Sequence, residues 1–186
     1  MNLLTERTAR DAALIVVDMQ EKLLAVMNDR SRVVGNTLRL IQAASVLKIP
    51  VHGTEQYPKG LGPTIPEIAE LIPNRGSKLT FSCCKLPEIV EQLHGRAVRH
   101  VTVAGIEAHI CIAQSALDLL RMGFSVTVPA DAVSSRFPLD WEFALRRLEH
   151  AGAVVSTTEA ILFEWIGTAD SAHFKEISRL VKTPVA

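Results

Sequence analysis

Three side chains of this 186-residue sequence have the types and places that chemistry needs. Asp18 directly follows the apolar run Ala13–Val17. Lys78 ends the short segment Arg75–Lys78. Cys111 lies just past the apolar run Val98–Ala104, at the start of a helical pattern. If the apolar runs are parallel strands, all three residues fall at strand carboxyl ends, where open α/β sheets bind ligands. A free thiol is mostly protonated at neutral pH, and a helix N-terminus and a nearby ammonium both favour its thiolate. A carboxylate beside it can take the thiol proton and return it to a leaving group. Backbone N–H groups at a helix start have no intrahelical partner and can hold an oxyanion. Position alone leaves a second reading open for each residue. Cysteine is often a small buried hydrophobe, Asp at a strand end is often a turn residue, and lysine is usually solvated.

These residues need a scaffold, and the sequence outlines one. Ala13–Val17 is continuous, β-branched and flanked by Asp11 and Asp18, as in a strand buried on both faces. Ser31–Lys48 has helical spacing and stops before Pro50. Val51–Thr54 reads as a strand, Glu55–Pro66 as a Pro- and Gly-rich loop, and Pro66–Leu71 as a short helix. Arg75–Lys78 is a weak strand and Pro87–Leu93 a helix with proline at its start. Strand Val98–Ala104, helix Ile110–Met122, strand Phe124–Val128, helix Leu139–Ala151 and strand Ala153–Ser156 complete the alternation. Thr158–Trp165 and Ser171–Val181 follow as helices. The expectation is one domain over residues 1–186: a three-layer α/β/α fold around a mostly parallel sheet of about six strands, in the order 3-2-1-4-5-6. That order makes strands one and four neighbours, so Asp18 and Cys111 face each other while Lys78 reaches in from farther out.

Composition narrows the function. Twenty basic residues balance twenty acidic ones. Zero net charge argues against a nucleic-acid or anionic-membrane partner. The longest apolar run, residues 12–17, is far short of the ~20 residues that span a bilayer. The first twelve residues carry early acids and no apolar core, so no secretory leader is expected. Three cysteines, with no C-x-x-C, point to a reduced, cytoplasmic chain rather than a disulfide framework. Cys83 and Cys84 read as structural or pocket-lining residues. His109, two residues before Cys111, either flanks the pocket or sits on an exposed turn. Tyr57 and Phe81 either wall the pocket or pack within loops. The remaining histidines show no metal-ligand pairing, and no phosphate-loop, nucleophile-elbow or zinc-protease motif occurs.

The segments Ala13-Leu-Ile-Val-Val-Asp-Met-Gln20, Gly76-Ser-Lys-Leu-Thr-Phe-Ser82 and Ala104-Gly-Ile-Glu-Ala-His-Ile-Cys111 together resemble the isochorismatase-like cysteine hydrolases. That family includes nicotinamidases, N-carbamoylsarcosine amidohydrolases and isochorismatases. Thr54–Gly62 and Gln114–Leu120 look most like its small isochorismatase-domain subgroup. The resemblance implies Cys111 as nucleophile, Asp18 as general base and acid, and Lys78 as charge stabiliser. It implies a cis peptide between Ile106 and Glu107 that turns the Glu107 and Cys111 N–H groups toward one oxyanion, with Gln20 near the pocket. Metal-dependent nicotinamidases carry Asp and His ligands after the second strand, where this chain has Gln56 and Pro58. No catalytic metal and no other cofactor is therefore expected. A retained thiol points to a small amide or ureido substrate. The rival readings are a catalytically silent binding module and isochorismatase-type ether hydrolysis. Family members commonly form homo-oligomers, and the apolar segment Ile161–Trp165 is the expected contact.

Overall fold

The structure is a computed structural model that describes residues 8–183. Most of the stretch read for a leader therefore lies outside the described residues. The chain runs β1 (Ala12–Val17), α1 (Glu21–Leu24), α2 (Arg30–Leu47), β2 (Val51–Gln56), α3 (Pro58–Leu61), α4 (Pro66–Ala69) and β3 (Arg75–Lys78). It continues through α5 (Pro87–Gly95), β4 (His100–Ile106), α6 (Ala113–Arg121), β5 (Ser125–Pro129), β6 (Val133–Ser134), α7 (Pro138–His150) and β7 (Val154–Ser156). Helices α8 (Thr158–Ile166) and α9 (Phe174–Lys182) end the described fold.

All strand pairs are parallel, in the order β3-β2-β1-β4-β5-β7, with β6 on the end of β4. The expected order holds for the six longer strands. The seventh, β6, was not expected, because two residues are too few for a hydrophobic period to show. The predicted loop over residues 55–66 is also corrected. Strand β2 runs on to Gln56, and a short helix with proline in its first turn follows.

The side-chain period of two explains the layering. On β1, Ala13, Ile15 and Val17 face one core with residues of α5, α6 and α7. Ala12, Leu14 and Val16 face the other, with residues of α2, α4, α8 and α9. Every β1 residue is buried, which is why the sequence shows an apolar run without alternation. Full burial of Leu14 or Ile15 contributes roughly 1.5–3 kcal/mol each. Helix α2 begins where the Asp29 carboxylate accepts the Arg32 N–H and ends at left-handed Lys48. The segment Ile161–Trp165 is not an exposed interface: Ile161, Leu162 and Trp165 are buried in the second core. The exposed large apolar residues lie elsewhere, at Tyr57, Leu79, Phe81, Phe137, Leu139 and Phe143 among others.

Gly105 sets the spacing of the two strands behind the site. Its φ is +114°, and a Cβ there would sit 2.2 Å from the Val17 carbonyl oxygen. Only glycine lets β4 pass this close to the residue before Asp18.

Candidate active site

Four neighbouring strand ends build the candidate site. Asp18 leaves β1 in the left-handed region, at φ 53°, which costs a non-glycine residue free energy. Its N–H donates to the Thr54 carbonyl (3.1 Å), and the Thr54 hydroxyl donates to its Oδ1 (2.7 Å). Lys78, from the far strand β3, crosses beneath the ends of β2 and β1. Its Nζ donates to Asp18 Oδ2 at 2.6 Å and to Gln56 Oε1 at 2.8 Å, and lies 3.7 Å from Cys111 Sγ. An ammonium has three donors, and these three acceptors use them all. Asp18, Lys78 and Cys111 are all buried. The structure thus brings the three sequence-identified residues into one cluster.

The thiol's resting state departs from the expectation. Burial, and next the Asp18 carboxylate, push Cys111 up to about 12, against the opposing pull of Lys78. Asp18 is hydrogen-bonded more closely to the ammonium than the sulfur is, so the ammonium's pull on the buried thiol does not offset burial and the carboxylate together. Cys111 therefore rests as a thiol, not a thiolate. Nor is it at a simple helix start. Residues 108–112 form a π-helical turn ahead of α6, and the Glu107 carbonyl accepts the N–H groups of Ile110 (3.1 Å) and Ile112 (3.2 Å). The Ile106–Glu107 peptide bond is cis.

The other sequence-identified residues have mixed placements. Gln20 is fully buried and its amide is engaged: Nε2 donates to the Gln56 and Gly62 carbonyls, and Oε1 accepts the Gln56 N–H. It braces the loop beside the site and presents no free donor. The Tyr57 N–H donates to the Lys78 carbonyl, and its ring is half exposed. Phe81, three residues after Lys78, is also half exposed. His109 Nδ1 lies 2.9 Å from the Ser135 hydroxyl and its Nε2 is 3.9 Å from Asp140. Cys83 and Cys84 are buried in the same core as Cys111, with the Cys83 N–H on the Ser115 hydroxyl and the Cys84 thiol toward the Ser115 carbonyl.

Sequence reasoning gave four residues of this region no part in the site. Thr54 and Gln56 lie at the carboxyl end of β2, so the strand-end rule that found Asp18 could have found them. Gln56 donates through Nε2 to the Leu79 carbonyl and accepts Lys78 through Oε1. Ser135 and Arg136 follow β6, which gave no sequence signal. Among the described residues, no group of three His, Cys, Asp or Glu side chains is placed to hold a metal ion. A cavity of about 550 Å³ lies between α2 and α9 and touches none of the cluster. A smaller one, about 150 Å³, opens beside His109 between Asp140 and Phe143. Chemistry rather than cavity size marks the candidate site.

The isochorismatase domain family matches residues 12–160. The chain belongs to that family. It is 42% identical over 172 residues to isochorismatase domain-containing protein 2 of Bos taurus, covering 92% of this chain and 83% of the relative. It is 40% identical over 176 residues to the protein of that name from Xenopus laevis, covering 94% and 85%. Among solved structures, one titled MAR1 ribonuclease from Caenorhabditis elegans superposes with a TM-score of 0.91 at 38% identity, covering 98% of this chain and 95% of that one. That solved structure shares the α/β architecture described above. No helix among the described residues is long and apolar enough to cross a membrane.

Proposed function

We propose that this isochorismatase-family protein is a cysteine hydrolase of small amide or ureido compounds. The observation that carries the reading is the convergence of a carboxylate, an ammonium and a thiol, with both other groups within 3.7 Å of Lys78 Nζ. Because Cys111 rests as a thiol, its proton leaves as the bond forms. Sγ attacks the substrate carbonyl carbon while Asp18 takes the thiol proton. The carbonyl π pair moves to oxygen, and the Glu107 and Cys111 N–H groups donate hydrogen bonds to the oxyanion that forms. The tetrahedral species collapses, the C–N bond breaks, and Asp18 returns its proton to the departing amine. Water then attacks the thioester, passes a proton to Asp18, and the expelled sulfur recovers it. Lys78 keeps Asp18 and the sulfur in register throughout. No step needs a metal or another cofactor.

The reading extends to partners. The domain spans residues 1–186 and works on a small molecule in a reduced, cytoplasmic setting, as its three free thiols suit. A ribonuclease activity, suggested by a relative's name, is disfavoured by the zero net charge and by a lysine fully engaged within the site. Exposed Phe137, Leu139 and Phe143 favour a homo-oligomer built on the α7 side. Light scattering then gives a mass above 20.3 kDa, and a monomer refutes the assembly. The activity is tested by a panel of amides, ureas and carbamates read by ammonia release. Turnover is expected, and Cys111→Ala abolishes it. Turnover that survives Cys111→Ala, or a silent panel with an unreactive Cys111, overturns the reading.

A further inference from the structure

Cys83 and Cys84 take no part in the reaction sequence, yet they stand next to its machinery. With Lys85 they form a single 3-10 turn between β3 and α5. The turn packs on α6. Its hold there is Ser115, four residues beyond Cys111. The Ser115 hydroxyl accepts the Cys83 N–H at 2.9 Å, and the Ser115 carbonyl faces the Cys84 thiol at 3.7 Å. Ser82 opens the turn, and its hydroxyl accepts the Cys84 N–H at 3.2 Å. The turn therefore holds two adjacent sulfurs on one side of α6.

The two thiols are hydrogen-bonded to each other. Cys83 is fully buried, whereas Cys84 keeps a narrow opening to solvent, at 7% exposure. The pair shares its protons unequally. The bond to Cys84, and next burial, hold the Cys83 proton well above the ordinary thiol range. The bond from Cys83 draws Cys84 below that range, and Ser82 and Lys85 add to the pull against burial. Cys84 is thus the sulfur that reacts as an anion, and Cys83 the thiol that stands beside it. Cys111 is held differently: it faces Asp18 and Lys78, and burial followed by the carboxylate pushes it up to about 12. An oxidisable cysteine is one with thiolate character, some access and a second thiol at hand to resolve it.

We propose that Cys83 and Cys84 form a dithiol oxidation site for small hydroperoxides, in which Cys84 reacts first, Cys83 resolves it, and Cys111 stays reduced. The Cys84 sulfur, its proton released, attacks the terminal peroxide oxygen. The O–O bond breaks, and the other oxygen takes up the released proton and leaves as water or an alcohol. Cys84 is then a sulfenic acid. The Cys83 sulfur attacks the Cys84 sulfur, the S–O bond breaks, and the hydroxyl departs as water with the Cys83 proton. The two thiols have lost two electrons to the peroxide and share one S–S bond. The Cys83–Cys84 peptide is trans. Its Cα atoms are then about 3.8 Å apart, short of the roughly 4.4–6.8 Å that a relaxed disulfide spans. A strained bridge is readily reduced, so a dithiol reopens it. The site is independent of the hydrolase reading.

The test treats the fully reduced, folded protein with hydrogen peroxide and follows each thiol by peptide mass spectrometry. Trypsin releases both sulfurs on one peptide, residues 79–85, and Cys111 on another. The 79–85 peptide is expected to lose two hydrogens and become closed to iodoacetamide, and dithiothreitol restores it. The Cys111 peptide remains reduced over the same time. Cys83→Ser is expected to stop at a Cys84 sulfenic acid that dimedone traps. Cys84→Ser is expected to slow oxidation at position 83 by about tenfold or more, because the remaining thiol holds its proton. Melting curves show that each variant is folded, and the wild-type result alone decides the order of reaction if one is not. Oxidation of Cys111 before the pair overturns the proposal. So does a wild-type Cys84 that accumulates sulfenic or sulfinic acid without a bridge, or a folded Cys84→Ser that is oxidised as fast as wild type.

Discussion

Replacing Asp18 with Asn should stop turnover and yet make Cys111 easier to alkylate. The thiol's ordinary value near 8.5 is raised to about 12 by burial first and by the Asp18 carboxylate second. At pH 7.5 that leaves roughly three thiolates in 100,000 molecules. The carboxylate and the sulfur lie 2.6 and 3.7 Å from the same Nζ. Two like charges about 4 Å apart at an effective dielectric of ~20 repel by about 4 kcal/mol. Removing that repulsion is worth about three powers of ten in the thiolate-to-thiol ratio. A less basic thiolate is a weaker nucleophile, with a Brønsted slope of about 0.4–0.5, so part of the gain is lost. The net expectation is alkylation roughly 30- to 60-fold faster than wild type. Asn keeps the size of Asp, and the Cys111 thiolate then becomes the only anion in contact with the buried Lys78 ammonium. The assay is iodoacetamide labelling at pH 7.5, followed residue by residue through peptide mass spectrometry, with Cys83 and Cys84 as internal references. A melting curve shows that the variant is folded. Labelling of Cys111 that is unchanged or slower in folded Asp18→Asn refutes the electrostatic account. Labelling that rises while amide turnover persists refutes the role of Asp18 as base.

The same raised thiol ties stability to pH. The folded state holds its proton up to about pH 12, whereas the unfolded chain releases it near 8.5. Above the unfolded value the unfolded state binds fewer protons, so stability falls as pH rises through this window and is fully present below it. Relative to Cys111→Ala, the wild type should lose about 2 kcal/mol between pH 9 and pH 10.5 in urea titrations; parallel curves for the two proteins contradict this. Gly105→Ala should be among the most damaging single-methyl additions in the chain. Its Cβ would meet the Val17 backbone at 2.2 and 2.8 Å, at a φ of +114°, so β1 and β4 must separate just before Asp18. A loss of about 3 kcal/mol or more by urea denaturation is expected, together with slower Cys111 labelling in Asp18→Asn/Gly105→Ala than in Asp18→Asn alone. A loss under about 1 kcal/mol shows that the strands accommodate the methyl.

The parts of this molecule that were legible are those with a period or a punctuation mark. Strand β1 announced itself because both its faces are buried, so its six residues are all apolar. Once β1 and β4 were recognised, their neighbourhood followed from the usual crossover order, and Asp18 and Cys111 came together with it. Lys78 required more, since two strands separate β3 from β4. Its place near the other two came from its position at the end of a weak strand and the reach of its long side chain, and the family resemblance agreed with it. The helix start at Cys111 was misread for a local reason. Apolar spacing does not distinguish a π-helical turn from the first turn of an α-helix, and the tether of Ile110 and Ile112 to one carbonyl is visible only in the folded chain.

What stayed illegible shares one physical cause: it depends on several bodies at once. The presence of a lysine near a cysteine suggests a thiolate, and as a pair the two would form one. Burial first and the third group second reverse the result, because Asp18 is bonded more closely to Lys78 than Cys111 is. The same logic hid Arg136. Nothing in Val133–Arg136 has a period, and β6 exists only because β4 offers its last two residues as partners. Glu107 reads in sequence as the residue after the cis bond, yet in the fold its carboxylate faces an arginine that follows another strand. The segment after one short element thereby braces the nucleophile turn at both His109 and Glu107. Catalytic residues at long, apolar strand ends can be found from the sequence. The groups that brace the nucleophile turn are found where a short, aperiodic segment meets it.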